Sequence, residues 1–331
     1  MKHQGDTTES RPAARKFSAR NLRGILIPFT TPFNAEEGVD AHALRSNIER
    51  WNEAGIKGYV ALGSTGERVH LDDRECLEVI EAARVRVPDH LALIVGAGQA
   101  STRVTIDEAR RFSAAGADAL LVITPHFYRR AMTHEALVNH YLAVADASPV
   151  PVVLYSMPDL TGISIAPETV VLLSEHENII GIKDSSADII NLAETLRLVP
   201  EGFAVLTGNG PLLYAALSAG AQGAILAVGC VAARLARAIY AAVEAADYER
   251  ARDLQQRLTP LARAVTTRYG ISGLKAALDM LGYKGGPVRA PLQSPNEEAR
   301  REIAHLLEEA AWSEEEKTED GESRLAGART L

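Results

Sequence analysis

The chain has 331 residues, 47% of them apolar, and a formal net charge of −8. This composition supports a large buried core and argues against a nucleic-acid partner or a polybasic membrane contact. Two cysteines, Cys76 and Cys230, are too few for a disulfide framework, and no apolar stretch reaches the roughly 18 residues of a membrane span, so we expect a cytoplasmic protein with no membrane partner.

Both ends of the chain are polar. Residues 1–21 lack the apolar segment of a signal peptide and are predicted to form a disordered arm. Residues 313–331 are predicted to form a disordered acidic tail. We expect neither segment to take part in catalysis.

Between residues 22 and 230 one unit repeats eight times: a nearly continuous apolar run, a polar loop and a helical pattern. Such runs are typical of parallel strands covered by helices, and eight units predict a (β/α)8 TIM barrel over residues 22–232. The alternative, a doubly wound sheet, normally carries a G-x-G-x-x-G turn after its first strand, and this chain has none there. The predicted strands are Gly24–Phe29, Gly58–Leu62, Ala92–Gly96, Ala119–Thr124, Val150–Tyr155, Ile179–Lys183, Ala204–Thr207 and Gly223–Val228. The clearest predicted helices are Ala41–Ala54, Asp73–Val87, Thr102–Ala115 and His134–Ala147, with Asp40, Asp72, Ser101 and Thr133 as their N-caps.

Beyond the barrel the pattern becomes helical, and we predict a C-terminal helical domain over residues 233–312. Its Ala-rich helix faces suit close packing, including subunit contact. The predicted helices are Val231–Ala246, Tyr248–Arg268, Ile271–Leu281 and Asn296–Ala311, with a loop at Gly282–Pro295.

Barrel enzymes place their chemistry at the C-terminal ends of the strands, and a lysine stands at one of them. Lys183 ends the sixth strand in the stretch GIKDSS, in a chain with only seven lysines. A buried amine is costly unless it has a task, and burial favours the neutral form that can attack a carbonyl and form a Schiff base. The alternative is a structural ion pair with Asp184.

Two further groups are predicted at the same end of the barrel. Tyr155 ends the fifth strand, where a phenol beside the amine can transfer protons, although an ordinary half-buried aromatic is the alternative. The turn GSTGE (63–67) offers the hydroxyls of Ser64 and Thr65 together with backbone N–H groups to a substrate carboxylate, or it is simply a tight turn with a helix cap.

Metal and phosphate sites find no support in the sequence. The closest histidines, His134 and His140, are too far apart for an H-x-H or H-x-x-x-H pattern. The turn Gly208-Asn209-Gly210 lacks the Lys and Ser/Thr of a P-loop. We therefore predict no metal and no cofactor.

The chain carries five motifs in this order: GSTGE (63–67), YSMPDLTG (155–162), GIKDSS (181–186), LTGNG (206–210) and GAQGAILAVGCVAA (220–233). In order and spacing they resemble the motifs of the dihydrodipicolinate synthase/N-acetylneuraminate lyase family of class I aldolases. The resemblance covers roughly residues 22 to 293 and implies a barrel with a C-terminal helical domain. It also implies a homotetramer, a dimer of dimers, that holds pyruvate or another 2-oxo acid as a Schiff base.

The resemblance assigns a role to each matching position. Lys183 matches the Schiff-base lysine and Tyr155 the general acid/base, while Ser64 and Thr65 match the pair that binds the pyruvyl carboxylate and relays protons, which makes Thr65 catalytic as well. Two more positions, Gly208 and Ile225, match the lining of the lysine pocket. Ser185, within GIKDSS, and Leu160, within YSMPDLTG, complete the predicted substrate-binding set.

Two positions depart from the family pattern. Leu160 stands where dihydrodipicolinate synthases have an arginine that binds the distal carboxylate of the aldehyde substrate. Phe127 stands where the family often places a tyrosine that enters the site of the adjacent subunit, so the proton relay is altered, with Tyr128 or a water as its substitute.

Within the family the chain most resembles 4-hydroxy-2-oxoglutarate aldolase, through VLYSMPDLTG, KDSS and RYGISGLKAALDMLGYKGGPVRAPL. We therefore expect cleavage of a 4-hydroxy-2-oxo acid to pyruvate and an aldehyde. The alternatives are dihydrodipicolinate synthase, which condenses pyruvate with aspartate semialdehyde and is disfavoured by Leu160, and a degenerate barrel that only binds 2-oxo acids, favoured by Phe127.

Overall fold

The computed structural model describes residues 17–311, and its centre is a closed barrel of eight parallel strands in sequential order. The first strand pairs with both the second and the eighth, which closes the sheet. The strands are β1 Gly24–Pro28, β2 Gly58–Ala61, β3 Ala92–Ala97, β4 Ala119–Ile123, β5 Val152–Ser156, β6 Ile179–Asp184, β7 Ala204–Thr207 and β8 Gly223–Ile225.

Helices follow the strands and cover the outside of the barrel. They are α1 Ala41–Trp51, α2 Asp73–Arg84, α3 Thr102–Ala114, α4 His134–Ala147, the single turn α5 Pro158–Thr161, α6 Pro167–Ser174, α7 Ile189–Leu198 and α8 Leu213–Ser218. Their apolar faces pack on the outer face of the sheet, where most of the core lies. A second, smaller core fills the inside of the barrel and includes Leu26, Val60, Ile94, Leu206 and Ile225.

Three of the four predicted N-caps are confirmed. The side chains of Asp40, Asp72 and Thr133 each accept a hydrogen bond from a backbone N–H in the first turn of α1, α2 and α4. Ser101 is the N-cap residue of α3, as predicted, but its side chain makes no capping hydrogen bond. Instead, the backbone carbonyl of Ser101 accepts a hydrogen bond from Thr105 Oγ1.

Four further helices follow the last strand: α9 Gly229–Glu244, α10 Tyr248–Arg263, α11 Gly270–Met280 and α12 Glu297–Glu309. A π-helical turn, Ala264–Arg268, joins α10 to α11. Helix α9 is kinked at Ala232, which has non-helical backbone angles. The predicted boundary between barrel and helical domain, at 232/233, falls at this kink.

The predicted fold class is confirmed, and each strand lies within three residues of its predicted bounds. Within the predicted N-terminal arm, Phe17 belongs to the interior cluster of the barrel, and a 3₁₀ turn follows at Ala19–Leu22. The rest of the predicted arm and the predicted acidic tail lie outside the described residues. Within residues 17–311 no helix is both long and apolar enough to cross a membrane.

Candidate functional site

Lys183 and Tyr155 lie side by side at the C-terminal end of the barrel. Strands β5 and β6 pair so that Tyr155 is opposite Lys183. The ammonium nitrogen of Lys183 lies 4.3 Å from the centroid of the Tyr155 ring. Both residues are buried, with 6% and 3% of their surface exposed. The sheet therefore brings the predicted nucleophile and the predicted acid/base into direct proximity.

The alternative interpretation of Lys183 as half of a structural ion pair finds no support. Neighbouring residues of a strand point to opposite faces, and the carboxylate of Asp184 accepts a hydrogen bond from the Ser186 N–H at 2.8 Å. Among residues 17–311 no carboxylate forms an ion pair with Lys183. A buried amine without a partner carboxylate is available for reaction with a carbonyl.

Gly208 provides the space around the amine. A side chain at Gly208 would begin 2.7 Å from Lys183 Cε and would collide with Ser185 Oγ, so only glycine leaves room for both. Ile225, on β8, is fully buried in the interior cluster of the barrel. The structure thus places Gly208 and Ser185 against the lysine and Ile225 in the apolar interior.

The surroundings of Tyr155 favour loss of its phenolic proton. Burial, the largest single influence, pushes the pKa of Tyr155 upward, but the charge of Lys183 and hydrogen bonding with Ser64, Lys183 and Ser185 outweigh it. The pKa of Tyr155 is therefore below its ordinary value. The Ser64 and Tyr155 hydroxyl oxygens lie 3.1 Å apart, which connects the phenol to the turn after β2. A phenol with a lowered pKa is a better general base near neutral pH.

The turn that carries Ser64 and Thr65 is held in a strained conformation. Residues 64–66 form a 3₁₀ turn, and the flanking Leu62 and Glu67 both have a φ of 54°. Left-handed angles at such side chains cost on the order of 1–3 kcal/mol each and persist only where the surroundings enforce them. Thr31 Oγ1 donates a hydrogen bond of 2.7 Å to the carbonyl of Gly66, which is one such constraint.

The helical domain supplies the other constraints, through the buried carboxylate of Glu67. Lys275, from α11, forms an ion pair of 2.5 Å with Glu67, and the two side chains are 2% and 0% exposed. The second carboxylate oxygen accepts a hydrogen bond of 3.2 Å from the Arg289 N–H and lies 3.1 Å from His70 Nδ1. Desolvation lowers the pKa of Lys275, although the Glu67 carboxylate opposes this effect. A second buried lysine thus holds the turn in place.

The two positions that depart from the family pattern lie at the surface. Leu160, in α5, is 57% exposed, and Phe127 and Tyr128 are 75% and 70% exposed with their rings in edge contact. The guanidinium of Arg129 lies beside the same segment as Leu160, since a side chain at Gly162 would begin 2.9 Å from Arg129 Nη1. An arginine is therefore present near position 160, although the family position itself holds a leucine.

Sequence reasoning missed Lys275, Arg289 and Arg129. A signal for Lys275 was present, because it is one of only seven lysines and lies within the apolar pattern of ISGLKAAL. Arg129 directly follows the Phe-Tyr pair that was considered, but nothing local indicates that it packs on the segment after β5. Within residues 17–311 no group of three or more His, Cys, Asp or Glu side chains is placed to hold a metal ion.

Comparison with known proteins places this geometry in a family. Residues 21–310 match the family model described as the dihydrodipicolinate synthetase family. A 4-hydroxy-tetrahydrodipicolinate synthase from Natronomonas pharaonis is 34% identical over 285 residues, which cover 86% of this chain and 96% of that protein.

Two solved structures show the same likeness. A prophage protein of the dihydrodipicolinic acid synthase family from E. coli K12, in complex with pyruvate, has a TM-score of 0.81 and 28% identity, covering 87% of this chain and 98% of its own. A monomeric dihydrodipicolinate synthase variant has a TM-score of 0.84 and 27% identity, covering 88% of this chain and 98% of its own. The likeness therefore extends over the barrel and the helical domain together.

Proposed function

The chain belongs to the dihydrodipicolinate synthetase family, whose members are lyases and synthases of the pyruvate aldolase type, and we propose that it performs class I aldol chemistry through a Schiff base on Lys183. The observation that carries the proposal is the pair of buried side chains on β5 and β6, with the Lys183 nitrogen 4.3 Å from the Tyr155 ring centroid. The pyruvate complex of the similar E. coli K12 protein supports pyruvate as the common substrate or product.

For the substrate we propose a 4-hydroxy-2-oxo acid of the 4-hydroxy-2-oxoglutarate type. The neutral amine of Lys183 adds to the C2 carbonyl, and loss of water leaves an iminium. Tyr155 takes the proton of the C4 hydroxyl, the C3–C4 bond breaks, and its electron pair neutralises the iminium to an enamine as the aldehyde leaves. Protonation at C3 and addition of water at C2 release pyruvate and restore the amine.

In this mechanism the turn after β2 binds the substrate carboxylate that lies next to the reacting carbonyl. Ser64 and Thr65 offer hydroxyls and backbone N–H groups there, and Ser64 shares a hydrogen bond with Tyr155. Thr65 is 8% exposed, so a substrate that contacts it is largely removed from water. We propose that these two residues orient the acid and relay protons to Tyr155.

Condensation of pyruvate with aspartate semialdehyde is the second candidate, and the names of the curated relatives support it better than they support cleavage. Cleavage is supported by the resemblance of VLYSMPDLTG and RYGISGLKAALDMLGYKGGPVRAPL to 4-hydroxy-2-oxoglutarate aldolase and by Leu160, which departs from the arginine of the synthases. Both reactions pass through an enamine of pyruvate on Lys183. They differ in the aldehyde, in the direction in which the C–C bond changes and in the group that displaces the lysine, which is water in cleavage and the substrate amine in the synthase reaction.

Borohydride trapping tests the Schiff base. Incubation with pyruvate and borohydride is expected to add a stable mass to the peptide that carries Lys183, and the Lys183→Arg variant is expected to show neither adduct nor turnover, because a guanidinium stays charged. Lack of an adduct in the unaltered protein would overturn the proposal.

A substrate panel then separates the two candidates. Pyruvate release from 4-hydroxy-2-oxoglutarate is measured beside condensation of pyruvate with aspartate semialdehyde, at equal enzyme concentration. The proposal expects the larger kcat/KM for cleavage. A larger kcat/KM for condensation would replace the first candidate with the second.

We further propose a homotetramer in the cytoplasm. Both cysteines are buried and unpaired, which fits a reducing compartment. The family resemblance implies a tetramer, whereas one structurally similar relative is a monomeric variant. Sedimentation of the purified chain measures its oligomeric state directly.

A further inference from the structure

The loop after β4 and the segment after β5 are neighbours at the open end of the barrel. Their strands pair with Ile123 opposite Tyr155, so both segments begin at the level of the reactive tyrosine. Arg129 belongs to the loop after β4, so it lies at the same end of the barrel as Tyr155 and Lys183.

Arg129 packs on the segment after β5. A side chain at Gly162 would begin 2.9 Å from Arg129 Nη1, 3.0 Å from Cδ and 3.2 Å from Cζ, so the guanidinium rests on the bare backbone of this glycine. Gly162 also has a φ of 69°, which favours glycine for a second reason. The guanidinium of Arg129 thus contacts Gly162, which is two residues after Leu160 in the chain.

No described side chain neutralises the charge of Arg129. Among residues 17–311 no carboxylate forms an ion pair with Arg129, although Asp159 is exposed on the neighbouring segment. A guanidinium held by packing, with its N–H groups still available, is suited to bind a carboxylate through two parallel hydrogen bonds.

We propose that Arg129 binds the carboxylate of the aldehyde partner, in place of the arginine that the family resemblance puts at position 160. This inference rests on the proposed aldol chemistry at Lys183. It holds for both candidate reactions, because the glyoxylate released from 4-hydroxy-2-oxoglutarate and aspartate semialdehyde both carry a carboxylate beyond the reacting carbon. It also removes the main objection to the synthase reaction, which was the uncharged Leu160.

The experiment compares substrates with and without that carboxylate. Cleavage of 4-hydroxy-2-oxoglutarate and of 4-hydroxy-2-oxopentanoate, which releases the uncharged acetaldehyde, is measured for the unaltered protein, Arg129→Ala and Arg130→Ala. Arg130 is the matched control, because it is an exposed arginine of the same 3₁₀ turn, Arg129–Ala131. Condensation with aspartate semialdehyde and with propionaldehyde forms the second arm.

Arg129→Ala is expected to lower kcat/KM for the carboxylate substrate roughly 10- to 100-fold, as for loss of a charged hydrogen-bonding partner, and to change it less than twofold for the uncharged one. Arg130→Ala is expected to change neither more than about threefold, the size of a weak surface-charge effect. In the double variant Arg129→Ala/Leu160→Arg, an arginine at the family position is expected to restore most of the lost preference.

The outcomes separate this inference from the proposed function. The role of Arg129 would be overturned if Arg129→Ala lowered kcat/KM equally for both substrates, or if the unaltered protein did not prefer the substrate with the carboxylate. In either case the borohydride adduct at Lys183 would still form, so the proposed chemistry would stand. Absence of that adduct would instead overturn the proposed chemistry itself.

Discussion

Replacement of Lys275 by methionine is expected to be strongly destabilising. The Lys275 ammonium and the Glu67 carboxylate are 2.5 Å apart, with side chains 2% and 0% exposed. Removal of one partner of such a pair leaves a buried charge and typically costs about 3–5 kcal/mol of unfolding free energy. Glu67 keeps the Arg289 N–H and His70 as neighbours, so we expect a value near the lower end, about 3 kcal/mol.

The same change is expected to weaken catalysis. The left-handed conformation of Glu67 lies next to the turn that carries Ser64 and Thr65, and it depends on the anchored carboxylate. A relaxed turn displaces both hydroxyls, and small displacements of positioning groups cost up to about 100-fold. We expect kcat/KM for the 2-oxo acid to fall roughly 10- to 100-fold, with the borohydride adduct at Lys183 still formed at high pyruvate.

The assay is urea unfolding followed by far-UV circular dichroism, together with steady-state kinetics. Arg103→Met is the matched control, since Arg103 and Asp107 are 3.9 Å apart with side chains 84% and 49% exposed, and such pairs contribute at most about 1 kcal/mol. The double variant Lys275→Met/Glu67→Gln removes both charges and is expected to recover much of the stability but not the activity. If Lys275→Met proved no less stable than Arg103→Met, the reasoning from the buried pair would be refuted.

Two further predictions follow from the perturbed side chains. Tyr155→Phe is expected to lower kcat roughly 10²- to 10⁴-fold while an adduct at Lys183 still forms slowly, measured by steady-state and single-turnover kinetics; an unchanged kcat would leave Tyr155 as a packing residue only. His140 is hydrogen-bonded to Thr102, and burial lowers its pKa from 6.5 to about 4. The unfolded chain therefore binds the proton more readily than the folded protein, and stability is lost as the pH falls from 6.5 to about 4. His140→Gln is therefore expected to remove about 2 kcal/mol of the stability difference between pH 7 and pH 5, measured by urea unfolding at both values, and an equal difference in both proteins would contradict the assignment.

The fold and the central pair of the site were predictable because they depend on local patterns. Continuous apolar runs determine which segments are parallel strands, and the position of Lys183 and Tyr155 at the ends of two such runs places them at one end of the barrel. The boundaries were less accurate, because strand ends depend on which backbone groups find a partner across the sheet. Ser101 shows the same limit, since a capping residue type was present without the capping hydrogen bond.

The sequence by itself determined the barrel, the helical extension and the buried amine beside a phenol. Only the tertiary structure decided what surrounds them. Lys275, on α11, forms an ion pair with Glu67, which follows the turn after β2, and Arg129 contacts the segment after β5 because Gly162 leaves its backbone bare. Such contacts join residues far apart in the chain, so their distances and burial depend on how loops and domains pack, which no local pattern encodes.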